Sequence, residues 1–145
     1  MTYYLDTNIF LRFLVPDNET MYRECAAVFA LIEGKKIKAV SSSLVFAEIV
    51  WTLQSFYKFP RAKVAAALQI FAKSGIAFDN RTDVLHALES YEAHSVKFID
   101  TLIASNPLLR AKKVTLVSYD KDFDKLNVQR IEPRELAALF SKRTQ

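Results

Sequence analysis

Apolar and polar positions along this chain fall into short blocks that alternate between two periods. Brief runs rich in apolar, β-branched and aromatic residues predict strands: "TYYL" at 2–5, "IKAV" at 37–40, "IAF" at 76–78, "KVTLVS" at 113–118 and, more weakly, "VQRI" at 128–131. Longer stretches between them predict helices over 8–15, 22–33, 44–57, 61–73, 84–94, 96–105 and 133–140. The punctuation agrees. Pro16 stops the first helix, and Asp17, Asn18 or Thr20 can cap the second, which ends at Gly34. Ser41 to Ser43 can cap the third, and Pro60 sits where a first helical turn tolerates proline. Gly75 is expected to end the fourth, Thr82 or Asp83 to cap the fifth, and Pro107 to follow the sixth.

Strands separated by helices require crossover connections. The expected class is therefore α/β, with a central mainly parallel sheet covered on both faces. A chain of 145 residues with no repeat, linker or low-complexity segment is expected to form a single domain over 1–145. In open sheets of this kind, ligands bind beyond the carboxyl ends of the strands. Asp6 follows the first strand at such an end, and Asp120 follows "KVTLVS" in the same way.

Two further carboxylates stand in apolar company. Glu48 lies inside "SLVFAEIVW" and Asp100 inside "VKFIDTLIA". A helix that is apolar all round is expected to be buried, and burying a lone carboxylate is costly. Each acid has an ordinary reading. Asp6 or Thr7 can be a helix N-cap, Glu48 can accept a hydrogen bond from Ser43, Thr52 or a neighbouring helix, and Asp100 can pair with a buried Arg or Lys. Taken together, two strand-end Asp residues and an acid in each of two apolar helices point to a shared cation. An oxygen-only set suits Mg2+ or Mn2+. "SYDKDFDKL" also offers Asp122 and Asp124, which alone read as a polar turn; Asp122 is a further candidate as an outer or second-metal ligand.

Composition narrows the classes. About half the residues are hydrophobic (51%), enough for a sizeable core, yet no apolar run approaches the roughly 18–20 residues that span a bilayer. With no basic segment leading into a long apolar one at the start, a secretory signal is not expected. Cys25 is the single cysteine, so an internal disulfide and a cysteine metal cluster are excluded; a cytoplasmic location and a core role for Cys25 are expected. The net charge of +4 is compatible with a nucleic-acid partner without requiring one. Neither a Walker-type loop nor GxGxxG is present, which removes the usual phosphate cradles. His86 and His94 are expected at or near the surface, which disfavours a nuclease built on a histidine pair.

Four pieces, "YLDTNIFLRFL", "SSLVFAEIVW", "KFIDTLIA" and "LVSYDKDFDKL", occur in that order and reach about residue 126. On these the chain resembles PIN-domain proteins, and among them the VapC-type toxins of toxin–antitoxin pairs. The resemblance implies a three-layer α/β/α domain. It implies an acidic pocket of Asp6, Glu48, Asp100 and Asp120 that holds Mg2+ or Mn2+ and cleaves RNA. It further implies supporting roles for Asn8 and Ser118, which would orient Asp6 and Asp120, together with an antitoxin partner and a homodimer. Two departures stand out: Lys97 occupies a region where many relatives carry an acid, and Ser118 stands where Thr is usual.

The same pocket fits a housekeeping RNA-processing nuclease. A non-catalytic PIN-like module that binds RNA or protein is disfavoured by the presence of all four acids. A phosphatase with an Asp nucleophile is disfavoured by Asn8, where such enzymes carry a second Asp. Arg12, Arg23, Lys58, Arg61 and Lys97 are candidates to meet a phosphate backbone. Phe10 and Trp51 are expected in the core, whereas "QSFYKFP" at a helix end can present an apolar groove to another chain.

Overall fold

The computed structural model describes residues 1–141. Five strands form one sheet: β1 (Thr2–Leu5), β2 (Lys38–Ser41), β3 (Ala77–Phe78), β4 (Thr115–Val117) and β5 (Arg130–Ile131). Every pairing is parallel and the order is β3-β2-β1-β4-β5. Parallel neighbours need crossovers. The β1–β2 connection carries α1 (Thr7–Leu14) and α2 (Glu19–Glu33), and the β2–β3 connection carries α3 (Ser43–Ser55) and α4 (Arg61–Ala72). The return to the other side of β1 carries α5 (Val84–Ala93), α6 (Phe98–Ala104) and α7 (Pro107–Arg110). A 3-10 helix (Lys121–Leu126) joins β4 to β5, and α8 (Pro133–Ser141) follows. Helices flank the sheet on both sides in an α/β/α arrangement, with α2 packed on α1 and α8, and α5 packed on α6. None of the described helices is long and apolar enough to cross a membrane.

The chain runs outward from β1 through β2 to β3, then jumps back to β4 beside β1. The direction of winding therefore reverses between β1 and β4, and a crevice at that switch point is where open α/β sheets bind ligands. Asp6 extends the β1–β4 ladder, its N–H donating to the Val117 carbonyl at 3.1 Å. The strands above it are anchored by Tyr3, Tyr4, Leu5, Leu116 and Val117, all essentially sealed from solvent.

Local caps explain the helix starts. Asn18 accepts from the Met21 N–H, Ser42 from Val45 and Asp83 from His86. Several expectations shift. α4 stops at Ala72 with Lys73 as its C-cap, so Gly75, at φ 87°, serves the following turn rather than the helix end. Pro107 does not merely close α6. It opens α7 at the first helical position, capped by Asn106. The "DKDFDKL" segment is not a plain turn but the 3-10 helix.

Trp51 corrects the expectation of a core residue. It is 68% exposed, whereas Phe10 is 0% exposed in a cluster with Phe29, Phe46 and Phe71. The reason is that α3 buries one stripe only. Val45, Ile49 and Leu53 face the core at i, i+4 spacing, and Ala47 and Trp51 lie on the opposite side. Phe56, also exposed, belongs to the "QSFYKFP" segment. Cys25 is buried as expected.

Candidate active site

Asp6 leaves β1 in an extended conformation and caps α1. Its Oδ1 accepts from the Thr7 N–H at 2.8 Å. Its Oδ2 accepts from Ser118 Oγ at 2.6 Å and Asn8 Nδ2 at 3.1 Å. The two supporting residues read from sequence thus sit beside Asp6. Asn8 spans the gap between the strand ends, donating also to Ser118 Oγ at 3.2 Å and accepting from the Tyr119 N–H at 3.3 Å. Ser118 Oγ completes the link by accepting from the Asp120 N–H at 3.0 Å. Sequence neighbours of β1 and β4 are in this way tied across the switch point by hydroxyl and amide groups rather than by apolar packing.

Glu48 lies half-buried on α3, at the margin of the buried stripe. Its Oε1 accepts from Thr7 Oγ1 at 2.6 Å, not from Ser43 or Thr52. Thr7, considered from sequence only as a cap, therefore holds Glu48 with its hydroxyl and Asp6 with its N–H. Nothing in the sequence marked that role, since the partner is on another helix.

Asp100 lies in the first turn of α6, where the helix dipole favours negative charge. It is 3% exposed, and its Oδ2 is buried with no hydrogen-bond partner. No buried Arg or Lys pairs with it among the described residues; Lys97, the exposed cap position of α6, only eases its charge from a distance. Asp120 caps the 3-10 helix, its Oδ1 accepting from the Asp122 N–H at 2.9 Å. Asp100, Asp120 and Asp122 each bring a carboxylate oxygen within 4.8 Å of the others. Asp122, read from sequence as an outer or second-metal ligand, is inside this tight set. Asp6 and Glu48 stand around it.

The electrostatics follow from the geometry. Burial pushes Asp100 up to about 7, and the charges of Asp6, Asp120 and Glu48 add to the rise. Burial likewise pushes Asp6 up to about 6, opposed by the hydrogen bonds from Ser118 and Thr7 and reinforced by Glu48 and Asp120. The acids are mutually within electrostatic reach, and Asp100 has an oxygen without a donor. A buried carboxylate with one oxygen lacking a donor, clustered with two further carboxylates in an oxygen-only set, fits a small hard divalent cation. It does not fit a structural ion pair, which would have supplied the missing donor.

Among the basic candidates, Arg12 and Arg23 are engaged in exposed ion pairs with Asp17 and Glu19. Lys58, Arg61 and Lys97 are exposed. Arg130, absent from the sequence candidates, reaches from β5 to the Ser118 carbonyl and to Asp124.

A family model described as PIN domain matches residues 3–129. No curated protein sequence matches the chain. Solved structures share its fold at low identity. One is VapBC2 from Rickettsia felis bound to a DNA fragment from the promoter, with a TM-score of 0.64 and 20% identity, covering 91% of this chain and 98% of that one. Another is PAE2754 from Pyrobaculum aerophilum, with a TM-score of 0.65 and 14% identity, covering 98% and 96%.

Proposed function

The chain belongs to the PIN-domain family, and from that premise we propose that it is a metal-dependent endoribonuclease, the toxin member of a VapBC-type toxin–antitoxin pair. The observation that carries the reading is the convergence of the Asp100, Asp120 and Asp122 carboxylates, one of which, Asp100, also has a buried oxygen without a donor. In this reading Asp100, Asp120 and Asp122 would hold Mg2+ or Mn2+, with Asp6 and Glu48 as further ligands, directly or through water. When bound, that ion neutralises phosphodiester charge and lowers the pKa of a bound water.

The protein's own groups have separable tasks. Ser118 and Asn8 fix the Asp6 carboxylate and, through the Asp120 N–H, the turn that follows β4. Thr7 fixes Glu48 by one oxygen, leaving Oε2 to take a proton from an attacking water. Hydrolysis by water would leave a 5′-phosphate and a 3′-hydroxyl. An acidic pocket repels RNA, so binding falls to exposed cations; Lys97, exposed at the N-cap of α6 and within electrostatic reach of Asp100, is the best placed, and such contacts give salt-sensitive binding without sequence preference. The VapBC2 likeness supports an antitoxin as partner, and a homodimer and a cytoplasmic location accompany the same reading.

The test is incubation of purified, antitoxin-free protein with structured RNA and Mg2+ or Mn2+, beside EDTA and an Asp100→Asn variant. Cleavage is expected in the first and lost in both controls. Cleavage that survives Asp100→Asn would remove the site from the reaction. No cleavage and no bound Mn2+ would favour a non-catalytic binding module.

A further inference from the structure

We propose that Arg130 is a positioning residue of this site, clamping the segment between Ser118 and Asp124 so that Asp120 and Asp122 face Asp100. The proposal rests on the metal-site reading above. Arg130 lies on the edge strand β5, opposite Leu116 of β4. Its side chain is only 11% exposed. Nη1 donates to the Ser118 carbonyl at 3.0 Å, and Nε and Nη2 donate as a fork to Asp124 Oδ1 and Oδ2 at 2.9 and 3.1 Å. One guanidinium thus holds both ends of the segment that carries the two acids.

That segment needs an external hold. It is a 3-10 helix, a conformation with poor hydrogen-bond geometry. Asp120 and Asp122 are drawn toward Asp100, against like-charge repulsion. Inside the 3-10 helix only Phe123 is buried. Strand pairing alone would accept any β-forming side chain at position 130. A fork that adds a third contact to a backbone carbonyl needs arginine, because lysine cannot supply the planar bidentate geometry. The charges that bear most strongly on Arg130 are Asp124, Glu132 and Glu135, none of them in the acidic cluster. Its effect on Asp120 and Asp122 is exerted through Ser118 and Asp124.

The experiment compares the full chain with Asp124→Asn, Arg130→Met and Arg130→Lys. Amide exchange at Asp120 and Asp122 is followed by NMR in the metal-free protein, and Mn2+ binding by electron paramagnetic resonance. Asp124→Asn is the key variant, because its side chain is mostly exposed and the substitution is expected to leave the fold intact. Loss of a charge-assisted fork is expected to speed exchange at those two amides about tenfold or more, with β1 amides unchanged. Mn2+ affinity is expected to fall by a similar factor. Arg130→Met is expected to match or exceed this loss, and Arg130→Lys to recover only part of it.

Parent-like exchange in folded Asp124→Asn would overturn the proposal, and so would faster exchange with unaltered Mn2+ affinity. A parent protein that binds no Mn2+ would defeat the metal reading itself, and the exchange measurement would still decide whether the clamp exists.

Discussion

Replacing Asp100 by asparagine is expected to make the metal-free protein more stable at alkaline pH, although it removes a residue of the site. In the folded chain, burial and then the charge of Asp6 keep Asp100 protonated up to about 7, against an ordinary value of 3.8. The unfolded chain releases that proton near 3.8. The folded state therefore binds more protons between the two values, and its stability falls as pH rises through that window. The stabilising share of the protonated group is complete below 3.8 and is lost by the time pH has passed about 7. The change corresponds to about 4 kcal/mol at pH ~8 and about 2 kcal/mol at pH ~5. Asparagine keeps the shape and carries no charge, so it recovers most of this in EDTA. At roughly 2–4 °C per kcal/mol for a chain of this size, Asp100→Asn should melt about 8–16 °C above the parent at pH ~8, and by about half that margin at pH ~5. Circular dichroism melts in EDTA at the two pH values measure it. Adding Mn2+ should raise the parent's melting temperature and narrow or reverse the gap, since the ion supplies the counter-charge that asparagine makes unnecessary. A variant that melts at or below the parent at pH ~8 in EDTA would refute the reasoning, because Asp100 would then already have a compensating partner.

Ser118→Ala should cost about 1–3 kcal/mol in urea unfolding, because it strips one donor from buried Asp6 and one acceptor from the Asp120 N–H; with that donor gone, the Asp6 carboxyl should titrate above its parent value of about 6 in a carbon-detected NMR titration. Trp51→Ser should change stability by no more than about 0.5 kcal/mol, as expected of an exposed position, and a loss of several kcal/mol would restore Trp51 to the core.

The strands were legible because each is a compact apolar run between breakers, and parallel pairing follows once helices separate them. What escaped was short or oriented by distant partners. α7 has one turn and no periodicity, and its proline reads equally as an end or a beginning. The 3-10 helix looks like a polar turn because its acids are solvent-type residues spaced for no regular face. Trp51 misled because α3 is apolar nearly all round, so composition alone contains no phase to say which stripe is buried. Thr7 and Arg130 act on groups far along the chain or on a backbone carbonyl, and neither contact leaves a local pattern.

The acids were legible for a reason that is also energetic. Asp6 and Asp100 were conspicuous because they interrupt apolar runs, a local choice at odds with the surrounding fold. The structure turns the same conflict into elevated pKa values and an oxygen without a donor. Glu48 was conspicuous too, but Thr7 and its half-exposed position relieve it. Asp122 was inconspicuous because a turn aspartate conflicts with nothing, and it joins the set only through the folding-back of the 3-10 helix toward α6. The sequence therefore reveals candidate ligands in proportion to how much their burial destabilises the metal-free fold. By that argument Asp100, the most deeply conflicted, should couple folding to metal most strongly, and Asp122 should lose Mn2+ affinity on substitution with almost no effect on metal-free stability.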